Sequence, residues 1–130
     1  MSAIETIKAR LAKYPHAQFT ATETSIVVEP YKPDGFKVRL DVRPGGFTVS
    51  FEGWHEEFES ENEALNCFAF GLSSACRLRT DLRGGFPYRW TVESLEDGRW
   101  VSDSTTGLLV FPFWRPRRTL HRQNHFVSAT

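Results

Sequence analysis

Residues 36–52 read FKVRLDVRPGGFTVSFE, and this stretch decides the fold. Apolar and polar side chains alternate on both sides of the turn at residues 43–46, which is typical of two half-buried strands joined as a hairpin. A slip of one residue would turn the apolar set toward solvent, so matching the two faces sets the register. The predicted pairs are Val42 with Phe47, Leu40 with Val49, and Val38 with Phe51.

Further strand patterns and two helical patterns lie on either side of this hairpin. An amphipathic stripe over residues 2–14 predicts the first helix. The remaining strand-type runs are residues 17–22, 25–29, 77–83, 88–93, 99–104 and 108–111. We therefore predict an α+β fold in which a curved, mainly antiparallel sheet packs against a central helix, in the order α-β4-α-β4.

The predicted central helix spans residues 60–76 and starts at a capping box formed by Ser60 and Glu63. Its main apolar stripe faces one side, whereas Cys67 and Phe70 fall on the far side among polar residues. A helix that is apolar nearly all round is usually covered on two sides. The sheet is one cover, and the other is the N-terminal helix, the C-terminal segment or a second subunit.

The composition is that of one globular domain, with 130 residues of which 40% are hydrophobic and 25% charged. Sixteen basic and sixteen acidic residues give a net charge of zero, which removes the simplest electrostatic case for a nucleic-acid or membrane-surface protein. The charge is uneven, however. Residues 1–66 hold seven basic and eleven acidic residues, and residues 67–130 hold nine and five.

The sequence predicts a cytoplasmic protein without disulfides. No run of about 18 apolar residues is present to span a membrane, and the N-terminus lacks the apolar core of a signal peptide. Cys67 and Cys76, both placed on the predicted central helix, would have Cα atoms about 13 Å apart. That separation is too large for a disulfide between them.

One candidate site is the sequence Gly53-Trp54-His55-Glu56-Glu57. If the strand continues regularly, Glu57 shares its apolar face; if Gly53 forms a bulge, Glu56 does so instead. A carboxylate that faces the core has a raised pKa and suits general acid or base chemistry, with His55 as its partner. The alternative is that both glutamates are solvated in a connection to the helix.

The C-terminal segment is a second candidate site. We divide the chain into an α+β domain over residues 1–114 and a basic tail over residues 115–130, which either packs back on the domain or extends from it. Arginines interleave with aromatic residues here, so the segment has three interpretations: core packing, a protein interface, or a site that binds phosphates and stacks bases.

We favour a small intracellular binding or adaptor domain without catalysis, which acts through protein contacts or a small apolar pocket and forms a homodimer. The alternatives are a small enzyme that uses the acid–base residues above, and an anion or single-stranded nucleic-acid binder. A nucleic-acid partner is less favoured, and no membrane, cofactor or metal is expected. The residues predicted to bind are Trp54, Phe70, Trp90, Trp114, Arg115, Arg117 and Arg118.

Overall fold

The computed structural model describes residues 2–126, which form two helices and nine strands. The helices are α1 (Ala3–Leu11) and α2 (Glu61–Leu72). The strands before α2 are β1 (Gln18–Ala21), β2 (Ser25–Glu29), β3 (Val38–Arg43), β4 (Gly46–Phe51) and β5 (Trp54–Phe58). Those after it are β6 (Cys76–Arg83), β7 (Phe86–Glu96), β8 (Arg99–Gly107) and β9 (Arg117–Arg122). Within residues 2–126, no helix is long and apolar enough to cross a membrane.

The first sheet is an antiparallel meander of β1 to β5 in chain order. The predicted register of its central hairpin is confirmed, since Val38 pairs with Phe51, Leu40 with Val49 and Val42 with Phe47. One face of this sheet packs against α2. The buried side chains of this face include Ile26, Val28, Val38, Leu40, Val49 and Phe51.

The predicted single curved sheet around a central helix, in the order α-β4-α-β4, is wrong. The chain is mostly sheet and forms two antiparallel sheets of five and four strands, together with the two helices. The part of the chain before α2 has five strands and not the predicted four. The additional strand arises because Glu52 and Gly53 form a two-residue turn, with Glu52 at a φ of 53°. Residues 54–58 therefore return along β4 as β5 and neither extend it nor bulge from it.

The helix α2 begins where the sequence predicts but ends earlier. Ser60 caps it by accepting a hydrogen bond from the backbone N–H of Glu63 at 3.3 Å. The helix stops at Leu72 because Ser73 has an extended backbone, so Cys76 opens strand β6 and does not end the helix. Besides the sheet, α2 contacts α1 and β6, so it is covered on more than one side.

The second sheet has the strand order β8-β7-β6-β9. The alternation of residues 77–93 predicts a turn at residues 84–87 and a pairing of Leu82 with Trp90, and this register is wrong: Thr80 lies opposite Trp90, and Leu82 pairs with Pro87. The turn contains only residues 84–85. From Leu78 to Thr80 the register differs from the prediction by two residues, which leaves the side chains on their predicted faces, whereas the bulge between Asp81 and Leu82 shifts it by one more.

The C-terminal segment belongs to this sheet. Residues 108–111, predicted as a strand, form no ladder, whereas residues 117–122 pair with β6 as β9. Beyond β9, Asn124 is 2% exposed and joins three parts of the fold. Its side chain accepts from the N–H of Phe36 at 3.1 Å and donates to the carbonyls of Phe36 at 3.0 Å and Gly71 at 2.9 Å.

The two sheets meet where β5 lies against β7 and β8. The indole N–H of Trp54 donates to Ser104 Oγ at 3.0 Å, and the backbone N–H of His55 donates to Thr106 Oγ1 at 3.3 Å. The ring of Trp90 occupies the space where a side chain at Gly53 would lie. Side-chain contacts of β5 therefore join the sheets into one body.

Candidate functional site

The most unusual surface of the molecule is the segment of residues 108–114, which we name the apolar loop. It connects β8 to the turn before β9. Leu109 is 99% exposed, Val110 86%, Phe113 68% and Trp114 72%. An apolar patch of this kind is uncommon on the surface of a folded domain.

The apolar loop is exposed although both of its ends are fixed. At its start, the N–H of Leu108 donates to the carbonyl of Tyr88 at 2.8 Å, and the ring of Phe111 stacks on Tyr88 with centroids 4.3 Å apart. Just after its end, the N–H of Gly84 donates to the carbonyl of Pro116 at 2.7 Å, and Arg83 Nη1 donates to the carbonyl of Arg115 at 3.4 Å. The loop is thus presented in a defined position, which lowers the entropy that binding costs.

Arginines flank the apolar loop. Arg115 follows it directly, Arg117 and Arg118 open β9, and Arg83 lies opposite Arg117 in the sheet. Within residues 2–126, none of these four guanidinium groups lies within 4.0 Å of a carboxylate. Within the described part of the chain, the surroundings of the loop therefore carry positive charge that no neighbouring carboxylate neutralises.

A second feature is a groove between β5, α2 and β8, which encloses about 290 Å³ and which we name the acidic groove. Phe58, Cys67 and Phe70 are half-buried in it and provide apolar surface. Glu56 and Asp103 are exposed at its rim. The predicted second face of α2, with Cys67 and Phe70, thus lies in a groove that residues 2–126 leave open.

The electrostatics of the acidic groove act on the Cys67 thiol. The pKa of the Cys67 thiol is raised to about 12, chiefly by burial and also by the negative charges of Glu56 and Asp103. Cys76, fully buried in β6, also has a raised pKa, chiefly because of burial. Both cysteines are free thiols, and neither is activated as a nucleophile at neutral pH.

The acid–base candidates do not converge on one cleft. Strand alternation places Glu56 on the groove side of β5, while His55 and Glu57 face the opposite side. All three side chains are exposed. Among residues 2–126, no group of three His, Cys, Asp or Glu side chains is placed to hold a metal ion.

The predicted binding residues are distributed over several places. Trp54 is 3% exposed and serves the contact between the sheets, while Trp90 packs over Gly53. Phe70 lies in the acidic groove, and Trp114 lies in the apolar loop with Arg115 beside it. The structure therefore brings Trp114 together with the arginines but separates them from Phe70 and the other two tryptophans.

Sequence reasoning missed an ionic network on one face of the second sheet. Asp81, only 1% exposed, accepts from Arg89 Nε at 2.7 Å and from Thr119 Oγ1 at 3.0 Å. Glu93, 5% exposed, accepts from Arg77 Nε at 2.7 Å. The alternation of Arg and Asp in β6 is visible in the sequence, but the partner of each depends on the register.

Comparison with known proteins adds no assignment to these surfaces. No protein-family model matches the chain. Neither the curated proteins nor the solved structures contain a significant match to it.

Proposed function

We propose that this chain is a non-catalytic binding domain that docks onto another protein through the apolar loop. The observation that carries the proposal is the exposure of Leu109, Val110, Phe113 and Trp114 on a segment fixed at both ends. Burying such side chains stabilises a complex, since removing apolar surface from water contributes about 25 cal/mol per Å² before the costs of association. Trp and Arg, the residues at the end of this loop, are favoured anchors of protein interfaces.

Protein surfaces explain the loop better than nucleic acid. Stacking on bases requires aromatic rings, and Phe113 and Trp114 provide them. Leu109 and Val110 are as exposed as these rings, however, and their aliphatic side chains gain little from bases. The enzyme hypothesis has weaker support, because Glu56 lies on the opposite face of β5 from His55, and His55 and Glu57, which share a face, are both exposed. The cytoplasm remains the proposed location, and two free thiols are compatible with it.

The test is site-specific photo-crosslinking in cells that produce the protein. A benzophenone amino acid replaces Phe113 in the apolar loop or, as the matched control, Phe19, which is 38% exposed on β1. We expect a discrete protein adduct from position 113, no such adduct from position 19, and loss of the adduct when Trp114→Ser is added. Absence of any protein adduct at position 113, or adducts formed only with lipid or nucleic acid, would contradict the proposal.

A further inference from the structure

We infer that the partner is a second copy of this chain, with the apolar loop of each copy seated in the acidic groove of the other. This inference rests on the proposed function and names the protein that the apolar loop binds. Its basis is that residues 2–126 of one molecule form both an exposed apolar, basic protrusion and an open apolar, acidic recess.

The chemistry of the two surfaces is complementary. The loop presents Phe113 and Trp114 with Arg115 next to them. The groove offers the half-buried rings of Phe58 and Phe70, and its rim carries the carboxylates of Glu56 and Asp103. Aromatic side chains would fill the recess while the guanidinium groups meet the rim. Opposite charges at the edge of an apolar contact steer association and fix its register.

The loop does not reach the groove of its own chain. Asp103 lies in the middle of β8, at the groove, and Leu108 directly follows the strand, at the loop. Their Cα atoms are five residue steps apart along the extended chain, which is about 17 Å at the usual rise per residue. The backbone hydrogen bonds of Leu108 with Tyr88 and of Gly84 with Pro116 hold the loop at the end of β8. The two surfaces can therefore meet only between molecules.

The placement of both surfaces along β8 points to a two-fold dimer. A two-fold axis that crosses β8 halfway between Asp103 and Leu108, near Thr105 and Thr106, exchanges these two positions, so each loop lies beside the partner's groove and both contacts form together. This arrangement also suits the charges. A dimer formed by two loops facing each other would bring together Arg115, Arg117 and Arg118 of both copies, whereas the exchanged arrangement pairs them with carboxylates.

The area of the contact agrees with a dimer of moderate affinity. Phe and Trp side chains offer roughly 150–250 Å² each. Because Phe113 is 68% and Trp114 72% exposed, the two rings together present roughly 200–350 Å². A stable interface buries about 800 Å² per partner. Each copy contributes a loop and a groove, so the reciprocal arrangement buries about twice the area of one contact but less than a standard interface, which predicts a dimer that forms at micromolar concentrations.

The primary experiment is sedimentation velocity of the full chain from about 1 to 300 µM, a range that resolves micromolar dimers. We expect a monomer–dimer equilibrium that weakens as salt is raised from about 0.1 to 0.5 M. Trp114→Ala in the loop and Asp103→Arg in the groove should each raise the dissociation constant about tenfold or more. The controls Phe19→Ser and Glu96→Arg alter exposed residues elsewhere and should leave it unchanged.

A mixing experiment separates this arrangement from other dimers. Trp114→Ala retains an intact groove, and Asp103→Arg retains an intact loop, so an equimolar mixture restores one of the two contacts. We expect heterodimers in the mixture at concentrations where each variant alone is a monomer. Circular dichroism and thermal unfolding confirm that both variants are folded. Maleimide labelling of Cys67 gives a second measurement, because dimerisation should slow the labelling as protein concentration rises.

Several outcomes overturn the inference. A protein that is monomeric at every concentration overturns the inference. Binding of that monomer to phosphatidylserine vesicles would indicate a membrane as the partner of the loop and would not rescue the dimer. A dimer that Trp114→Ala weakens but Asp103→Arg leaves unchanged indicates contact between loops, and open-ended chains exclude the two-fold arrangement. A monomer that still forms an adduct with a different protein at position 113 removes only this inference. Absence of any protein adduct removes the proposed function as well.

Discussion

Asp81 shows how the second sheet keeps a carboxylate inside the protein. Burial alone would raise its pKa, but hydrogen bonds from Arg89 and Thr119, and the charges of Arg89 and Arg79, outweigh burial and lower the pKa. The charged form is therefore bound more tightly in the folded state than in the unfolded chain. Stability from this source is fully present above the ordinary pKa of 3.8 and is lost as the pH falls through the folded value.

Replacing Asp81→Asn should test that account. At pH 7 we expect a loss of about 1–3 kcal/mol in the free energy of unfolding, because Arg89 loses its charged acceptor. As the pH falls from about 4 to about 2, the wild type also becomes protonated at this site, so the difference in the free energy of unfolding between the two proteins should shrink. Urea unfolding of both proteins over this range measures it. A difference that stays constant down to about pH 2 would rule out a lowered pKa.

Gly71 is a second position where a single atom matters. It lies in α2 against the ring of Phe51, and a Cβ at this position would overlap that ring. Phe51 is fully buried, so its ring has little room to move. An alanine normally stabilises a helix interior relative to glycine by about 1 kcal/mol, and here the overlap opposes that gain.

We expect Gly71→Ala to destabilise the protein by about 1–3 kcal/mol, as overpacking of a core does. Gly85→Ala is the matched control, because a Cβ at Gly85 meets no atom within 4 Å and its φ is not in the left-handed region. Thermal and urea unfolding of the two variants measure the difference. A stabilised Gly71→Ala protein would show that the helix moves easily away from β4.

At the scale of elements, Asn124 is the buried anchor of the C-terminal segment, which also pairs with β6. Asn124 satisfies the N–H of Phe36 and the carbonyls of Phe36 and Gly71, groups that come from distant parts of the chain. Its neighbour β9 has few apolar side chains and is largely exposed. The stability of this element therefore depends on hydrogen bonds more than on burial of its own surface.

Asn124→Ala should cost about 2–4 kcal/mol, since each buried polar group left without a partner costs about 1–3 kcal/mol. Hydrogen exchange should show the largest loss of protection in β9 and at the N–H of Phe36. His125→Ala is the control: its imidazole lies 3.8 Å from Asp34 on the exposed surface, and such pairs contribute about 0–1 kcal/mol. Equal effects of the two substitutions would mean that Asn124 does not hold the segment.

Elements that alternate in hydrophobicity could be predicted, and those that do not were missed. The β3–β4 hairpin follows from its sequence because only one register buries Leu40 and Val49 together. The strand β9 reads Arg-Arg-Thr-Leu-His-Arg, and its neighbours on one face are polar, such as Asp81 opposite Thr119. No apolar pattern marks such a strand, so its pairing is fixed by the sheet and not by its own composition.

The candidate site was predictable only in part, for a related reason. The sequence shows that residues 108–114 are apolar and that Cys67 and Phe70 lie off the main stripe of α2. It does not show which apolar residues are left exposed, because exposure depends on what packs over them. The same apolar run led to the prediction of a strand at residues 108–111. Only the fold shows that these residues form an exposed loop and not a strand.

For the whole molecule, the two sheets should unfold as one unit. Trp54 lies between them, and α2 contacts both the first sheet and β6. We expect urea transitions followed by tryptophan fluorescence and by far-UV circular dichroism to coincide at one protein concentration, as in a two-state domain. Separate midpoints for the two signals would show that the sheets unfold independently.

Because Asn124 closes the core, the order of synthesis has a consequence. A ribosome makes α1, the first sheet and α2 well before it makes residues 117–124. Until those residues emerge, the N–H of Phe36 and the carbonyl of Gly71 lack their partner, and β6 has an open edge. The nascent chain thus carries an exposed strand edge during translation, the condition in which binding by chaperones and mispairing between neighbouring polypeptides are favoured.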